Sequence, residues 1–221
     1  MRRNGVKMLA VLLALIMLLA ALGACAKSEP EPQPAETSEP AEATEAAETE
    51  AVSERQDGEQ YDVTLMIEGM EETVKYQHVR NETAGFAMGF ECESFVRQSE
   101  PDRERFVSIY DDPQNPENYL EVSFSPEDAE TVIAAVTEEL SADYALNTDT
   151  AELDNGSTCT RIDASATADG TQTADVLQAV YVIPAGDGCR VARLRYVPEG
   201  SDGFGRRLSN MVNTISVFDA A

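Results

Sequence analysis

Residues 61–221 predict an α+β domain in which an antiparallel β-sheet is flanked by helices. Three observations support this prediction. Apolar residues alternate along several short segments, two longer segments carry apolar residues at helical spacing, and the connections between successive strands are short. Short connections join antiparallel strands, whereas parallel strands need long crossovers. A length of about 160 residues is typical of one domain with its own core, so we expect a single globular unit.

The chain begins with a basic segment and an uncharged apolar run, the arrangement of a secretory signal peptide. Arg2, Arg3 and Lys7 come first, and residues 8–22 contain no charged side chain. We therefore expect a signal peptide over residues 1–24. The alternative is an uncleaved membrane span, because about 20 apolar residues suffice to cross a bilayer.

The apolar run ends in Leu22-Gly23-Ala24-Cys25, which resembles the lipobox of bacterial lipoproteins. The resemblance implies that a diacylglyceryl group is attached to the thiol of Cys25. It also implies cleavage before this cysteine and acylation of the new N-terminus. Two or more acyl chains give a lasting membrane anchor. We therefore expect a lipid-anchored protein on the extracytoplasmic face of the cell membrane.

Residues 25–60 are expected to form the lipidated cysteine and a disordered linker rich in Glu, Pro, Ala and Thr. Residues 26–60 contain eleven acidic side chains against two basic ones, and Val52 is their one strongly apolar residue. Such a segment cannot bury enough apolar surface to offset the chain entropy lost on folding. We expect a spacer that holds the domain away from the membrane surface.

Alternating apolar residues predict the strands of the domain. The expected strands lie around residues 63–67, 74–76, 86–90, 106–110, 119–124, 157–164, 176–183 and 189–197. Turns are expected around Gly69, at residues 154–156 and at residues 186–188, where Asp187-Gly188 is a common hairpin sequence.

Two helices are expected, one after each group of strands. The first begins near Ser125 as N-cap, and its apolar face consists of Ala129, Val132, Ile133, Val136 and Leu140. The second spans about residues 203–217, and its apolar face consists of Phe204, Leu208, Met211, Val212 and Ile215.

This order of elements, together with the domain size, resembles the Mog1/PsbP-like fold, in which helices flank an antiparallel sheet. Small exported lipoproteins of Gram-positive bacteria recur in that group. The segment from Gly69 to Val74 also resembles a short sequence segment that opens the domain in uncharacterised clostridial lipoproteins. Neither resemblance brings a catalytic motif, so neither implies a functional residue.

The net charge of the domain argues against nucleic acid as a partner. Residues 61–221 contain 30 acidic and 11 basic side chains, and the whole chain has a formal net charge of −25. A negative field of this size repels phosphate backbones and anionic lipid headgroups. We expect the lipid anchor, rather than the domain surface, to attach the protein to the membrane.

The sequence contains few residues that could perform catalysis, and we expect no catalytic residue, metal site or cofactor. His78 is the one histidine, and we interpret it as a structural residue. Glu91 and Glu93 should share one strand face if the strand continues, and paired carboxylates can perform acid–base chemistry. The acidic loop at residues 111–118 offers oxygen ligands for calcium, although its two prolines fit a simple turn.

Three cysteines remain after the lipidation of Cys25. Cys92, Cys159 and Cys189 form an odd set, and an exported protein can form a disulfide. Cys159 and Cys189 lie on predicted strands of the second half, so a bond between them is one hypothesis. Buried free thiols are the alternative.

These observations leave three functional classes open. We favour a non-enzymatic binding or interaction domain, because catalytic clusters are missing from the sequence. The alternatives are a cell-envelope hydrolase that uses carboxylates such as Glu91 and Glu93, and an assembly helper for exported proteins. The sequence identifies neither a protein partner nor a small-molecule ligand.

Overall fold

The computed structural model describes residues 55–67, 69–198 and 201–220. The signal peptide, Cys25 and the linker up to residue 54, all expected from the sequence, lie outside the described residues. Ordered contacts begin before the expected domain start at Tyr61. The Asp57 carboxylate accepts a hydrogen bond from the Arg80 backbone N–H at 3.0 Å, and the Glu59 carbonyl accepts one from the His78 N–H at 2.7 Å.

Strands account for more than half of the described residues. The strands in chain order are β1 (Gln60–Ile67), β2 (Met70–Asn81), β3 (Phe86–Glu91), β4 (Phe95–Glu100), β5 (Arg103–Ser108), β6 (Tyr119–Ser125), β7 (Tyr144–Glu152), β8 (Thr158–Thr167), β9 (Thr173–Ala185), β10 (Gly188–Tyr196) and β11 (Ser216–Val217). The helices are α1 (Ala129–Ser141) and α2 (Arg206–Asn213), and a π-helical turn over Ser201–Gly205 leads into α2.

The expected α+β class, one antiparallel sheet flanked by helices, is therefore wrong. The described part of the chain is mainly antiparallel β-sheet, and its strands form two sheets. The smaller sheet has the order β1-β2-β3-β11, and the larger has the order β4-β5-β6-β10-β9-β8-β7. The helices are short, with 13 residues in α1 and eight in α2. Sequence periodicity identifies single strands, but the division into two sheets depends on pairings between distant segments.

The larger sheet is covered on both faces, and each face has its own apolar core. On one face, Val132, Val136 and Leu140 of α1 pack against Ile162 and Val180 of the sheet. The smaller sheet and α2 pack on the opposite face. Their core there includes Phe86, Phe106, Leu194, Leu208 and Met211. Burial on both faces explains the continuous apolar run Ala179–Ile183 of β9, in which every side chain is buried.

The hairpin turns expected around Gly69 and at residues 186–188 are confirmed. Ile67 pairs with Met70, and Gly69 has a φ of 79°, a left-handed conformation that glycine adopts without strain. Ala185 pairs with Gly188, so Gly186 and Asp187 form a two-residue loop between β9 and β10.

Helix α1 has the expected apolar face, but its N-terminus differs from the prediction. Asp128, rather than Ser125, is the N-cap, and its carboxylate accepts a hydrogen bond from the Thr131 N–H at 2.8 Å. Ser125 ends β6, and its hydroxyl accepts from the Glu127 N–H at 3.3 Å. The helix therefore starts about one turn later than expected.

Candidate functional site

The main cavity of interest lies on the inner face of the larger sheet, beside α2. Its volume is about 550 Å³, within the range of small-molecule sites. We call this cavity the polar groove. Its lining residues come from the β1–β2 hairpin, three strands and the helix that faces them: Met66, Gly69, Arg161, Tyr181, Tyr196, Gly205, Arg206, Ser209, Asn210 and Asn213.

Helix α2 contributes one polar face to the groove. Arg206, Ser209, Asn210 and Asn213 follow the i, i+3, i+4, i+7 spacing that places side chains on one side of a helix. The opposite face is apolar and buried. Its buried residues are Leu208, Met211 and Val212. Packing of the apolar face therefore fixes the direction in which the polar face points.

The floor of the groove is built from neighbouring strands of the larger sheet. Arg161 on β8 lies directly opposite Tyr181 on β9, and its guanidinium carbon is 5.5 Å from the centre of the Tyr181 ring. The guanidinium also donates two hydrogen bonds to one carboxylate oxygen of Asp163, at 2.6 and 3.1 Å. Tyr196, at the end of β10, completes the floor.

The ionisation states of these groups make the groove a set of hydrogen-bond donors. Burial raises the pKa of Tyr181 above its ordinary value, and burial also raises the pKa of Tyr196. Both phenols are therefore neutral at pH 7 and keep their hydrogens. Burial lowers the pKa of Arg161, but Tyr181 and Asp163 outweigh this effect and the net shift is upward. The guanidinium stays charged.

Glu91 and Glu93, the carboxylate pair of the hydrolase alternative, do not form a pair on one strand face. Strand β3 ends at Glu91, and Glu93 is exposed in the following turn. Glu91 is 2% exposed, and its carboxylate accepts hydrogen bonds at 2.6 Å from Arg207 and from the Ser94 hydroxyl. Arg207 also binds Glu72 at 2.6 Å. These contacts hold α2 against the smaller sheet.

His78 is fully buried in the middle of β2, directly opposite Gly89 of β3. Burial lowers its pKa, so the imidazole is neutral at pH 7. No hydrogen-bond partner for either ring nitrogen occurs within the described ranges. This position is buried in the sheet core and is not part of the polar groove.

The three cysteines of the domain are free thiols, so of the two hypotheses the Cys159–Cys189 disulfide is not formed. Cys159 lies on β8 and Cys189 on β10, with β9 between them. Strands in a sheet are about 4.8 Å apart, so a pair two strands apart exceeds the separation of about 7 Å that a disulfide can bridge. The two side chains also pack in different cores, on opposite faces of the sheet.

The acidic loop considered for calcium forms its own hydrogen bonds. The Asp111 carboxylate accepts from the backbone N–H groups of Glu117 and Asn118 at 2.8 and 2.5 Å, and from the Asn118 side chain at 3.1 Å. Across residues 55–67, 69–198 and 201–220, no three His, Cys, Asp or Glu side chains are grouped so that they could hold a metal ion. Of the helices in these ranges, none has both the length and the apolar character needed to cross a bilayer.

Sequence reasoning assigned no role to the residues of the polar groove. Arg206 lies on the helix predicted over residues 203–217, but from the sequence it counts only as one of the basic side chains of the domain. The polar stripe at positions 206, 209, 210 and 213 is a signal that the sequence contains, although a solvated helix face gives the same pattern. Tyr181 and Tyr196 look like ordinary strand residues.

No family model and no curated protein matches the sequence. The chain is similar in fold to the solution structure of PsbP from Synechocystis sp. PCC 6803, with a TM-score of 0.46, 10% identity and coverage of 65% of this chain and 92% of that chain. It is also similar to the Ran-binding protein Mog1 of Saccharomyces cerevisiae, with a TM-score of 0.41, 15% identity and coverage of 65% and 96%. A mutant of Mog1 gives a TM-score of 0.42, 14% identity and the same coverage. PsbP and Mog1 both have the fold that the sequence resembles, and likeness at this level assigns no function.

Proposed function

We propose that this chain is a non-enzymatic binding module and that the polar groove is its ligand site. The observation that supports the proposal is the groove itself. It combines a volume of about 550 Å³ with convergent arginine, tyrosine, serine and asparagine side chains. A concave site with a few oriented polar groups is the usual form of a small-molecule site.

The chemistry of the lining favours binding over catalysis. None of the side chains known to line the groove is a carboxylate, an imidazole or a thiol, the groups that most often transfer protons or act as nucleophiles. Ser209 lines the groove, but no general base lies beside it in that set. The hydrolase alternative also loses its carboxylate pair, since Glu91 is occupied by Arg207.

A panel of small polar molecules tests the proposal. Saturation-transfer NMR on the full chain in detergent would screen sugars, amino acids, dicarboxylates and phosphate esters. We expect at least one class to bind. Substitution of Asn210 by Trp fills the groove and should abolish the signal, whereas Glu130→Trp, on the exposed surface of α1, should preserve it. Binding that survives Asn210→Trp in a folded protein, or no binding from any class, would contradict the proposal.

We also propose that a lipid on Cys25 anchors the module to the extracytoplasmic face of the cell membrane, with residues 26–60 as a spacer. The lipobox-like run and the acidic, proline-containing linker support this part. The wild-type chain should fractionate with membranes and carry the mass of the acyl groups. Cys25→Ala should lose this mass and leave the membrane fraction on washing. A variant that stays membrane-bound at unchanged mass would contradict the lipid anchor.

The assembly-helper alternative stays a prediction. Strand β4 is an edge of the larger sheet, and Val96 on it is 52% exposed. An exposed edge strand is a surface to which an extended segment of another protein can pair.

A further inference from the structure

The polar groove differs in charge from the rest of the domain. Residues 61–221 carry 30 acidic and 11 basic side chains, yet among the side chains that the structure describes the lining of the groove includes two arginines and no carboxylate. Asp163 neutralises part of the Arg161 charge from outside the lining. Arg206 adds a second positive charge, so the groove is a cationic site on an acidic domain.

Among the described side chains of the groove, Arg206 is the charged group that no ion pair holds. Its neighbour Arg207 is held by Glu72 and Glu91, both at 2.6 Å. Arg206, in contrast, has no carboxylate within ion-pair distance in the described part of the chain. Acidic side chains greatly outnumber basic ones here, and most described arginines do have such a partner. The Arg206 guanidinium therefore presents five N–H donors beside the groove, and none of the described carboxylates forms an ion pair with it.

The other groove side chains add donors of the kind that bind an anion. Asn210 and Asn213 carry amide N–H groups, and they lie on the same helix face as Arg206. The phenols of Tyr181 and Tyr196 keep their hydrogens at pH 7. A carboxylate or phosphate oxygen accepts several such bonds at once, and charge-assisted bonds are stronger than neutral ones.

We infer that the ligand of the polar groove is a small anion, a molecule with a carboxylate or phosphate group that binds Arg206. This inference rests on the proposed function, because it names the chemical class that the proposed site takes. The size of the groove fits a small molecule, and the negative field of the whole domain disfavours long polyanions such as nucleic acid. A phosphate group can come from a soluble molecule or from a lipid headgroup, and both present the same oxygens to the guanidinium.

Side-chain NMR of the full chain in detergent, labelled with ¹⁵N-arginine, tests the inference. The probes are inorganic phosphate, succinate and short-chain dihexanoyl phosphatidylglycerol, with glucose as the neutral probe, all at matched ionic strength. At least one anion should shift the Arg206 Nε–Hε signal saturably, and glucose should not. Tighter binding of the lipid than of the soluble anions assigns the source to a headgroup, and the reverse order assigns it to soluble molecules.

Matched substitutions separate binding at the groove from non-specific charge effects. Arg206→Gln should weaken anion binding at least about tenfold, since it removes charge-assisted hydrogen bonds. Arg103→Gln removes one positive charge from a surface pair with Glu100, outside the groove lining, and should leave binding within about twofold of wild type. Equal weakening by the two variants would overturn the inference.

The anion inference and the proposed function fail in different ways. If neutral molecules of the panel bind in the groove, with loss on Asn210→Trp, but the three anions do not, the anion inference fails and the binding module stands. If no molecule of either set binds in the groove, the proposed function itself fails, and the anion inference falls with it.

Discussion

The buried guanidinium of Arg190 should be one of the groups on which the stability of the domain depends most. Its side chain is completely buried on β10. It donates to the Gly85 carbonyl at 3.1 Å, to the Phe218 carbonyl at 2.5 Å and to both oxygens of Asp187 at 2.6 and 3.1 Å. It also lies 4.7 Å from the centre of the Phe124 ring. One side chain therefore joins both sheets to the C-terminal segment.

Arg190→Met keeps much of the side-chain volume but removes the four hydrogen bonds that the guanidinium donates. The Gly85 carbonyl keeps a bond from the Phe218 N–H at 3.0 Å, and Asp187 keeps one from the Ala220 N–H at 2.7 Å. The Asp187 carboxylate that remains is 25% exposed, so the variant loses hydrogen bonds from a charged group rather than stranding a buried charge. We expect the free energy of unfolding to fall by about 1.5–3 kcal/mol. Urea denaturation of the full chain in detergent, followed by far-UV circular dichroism, measures it. Arg103→Met breaks a solvent-exposed pair and should cost less than about 1 kcal/mol. Equal losses for the two variants would refute this reasoning.

The same contact predicts a pH dependence. Hydrogen bonds from Arg190, followed by that from the Ala220 N–H, lower the pKa of Asp187 from 3.8 to about 2. A lowered folded-state pKa stabilises the folded protein at pH values above the ordinary pKa, and this contribution is lost as the pH falls from about 4 towards 2. In the Arg190→Met variant, the free energy of unfolding should therefore fall less between pH 5 and pH 2 than it does in the wild type. If the fall in the free energy of unfolding between pH 5 and pH 2 is the same in the variant and the wild type, the Arg190–Asp187 contact is not its cause.

Three further predictions concern single positions. Asp128→Ala removes the N-cap of α1 and should lower the free energy of unfolding by about 0.5–2 kcal/mol, measured by urea denaturation; no loss would contradict the cap. The intact mass should be the same with and without reductant, because Cys159 and Cys189 carry free thiols; a mass gain on reduction would contradict their placement. Gly89→Ala should destabilise by about 1–3 kcal/mol, since a Cβ there collides with the Tyr61 hydroxyl and the Tyr76 ring; a thermal melt at the wild-type temperature would contradict this packing.

The sequence was informative where local chemistry determines the structure. Gly69 and the stretch from Gly186 to Gly188 mark their hairpins because few residues fit such tight turns. The apolar face of α1 also follows from periodicity. The second helix is shorter than the expected span of residues 203–217, because Phe204 lies in the preceding π-helical turn and Ile215 lies beyond the helix end. Strands β4 and β7 were missed, because edge strands carry polar side chains on both faces and give no clear alternation.

The features that could not be predicted from the sequence depend on long-range contacts. Strand β11 has two residues, and its pairing with β3 joins segments more than 120 positions apart. The polar groove likewise assembles Arg161, Tyr181 and Tyr196 from three strands with residues of α2. No local pattern links them. Glu91 looked like a candidate acid, but its partner Arg207 comes from the far end of the chain.

A crystal structure of the full chain grown with saturating succinate or phosphate would test the central claim most directly. The account predicts electron density for the anion in the polar groove, with its oxygens within hydrogen-bond distance of the Arg206 guanidinium. A groove that holds water alone under saturating anion, or an ordered anion bound elsewhere on the domain, would contradict it.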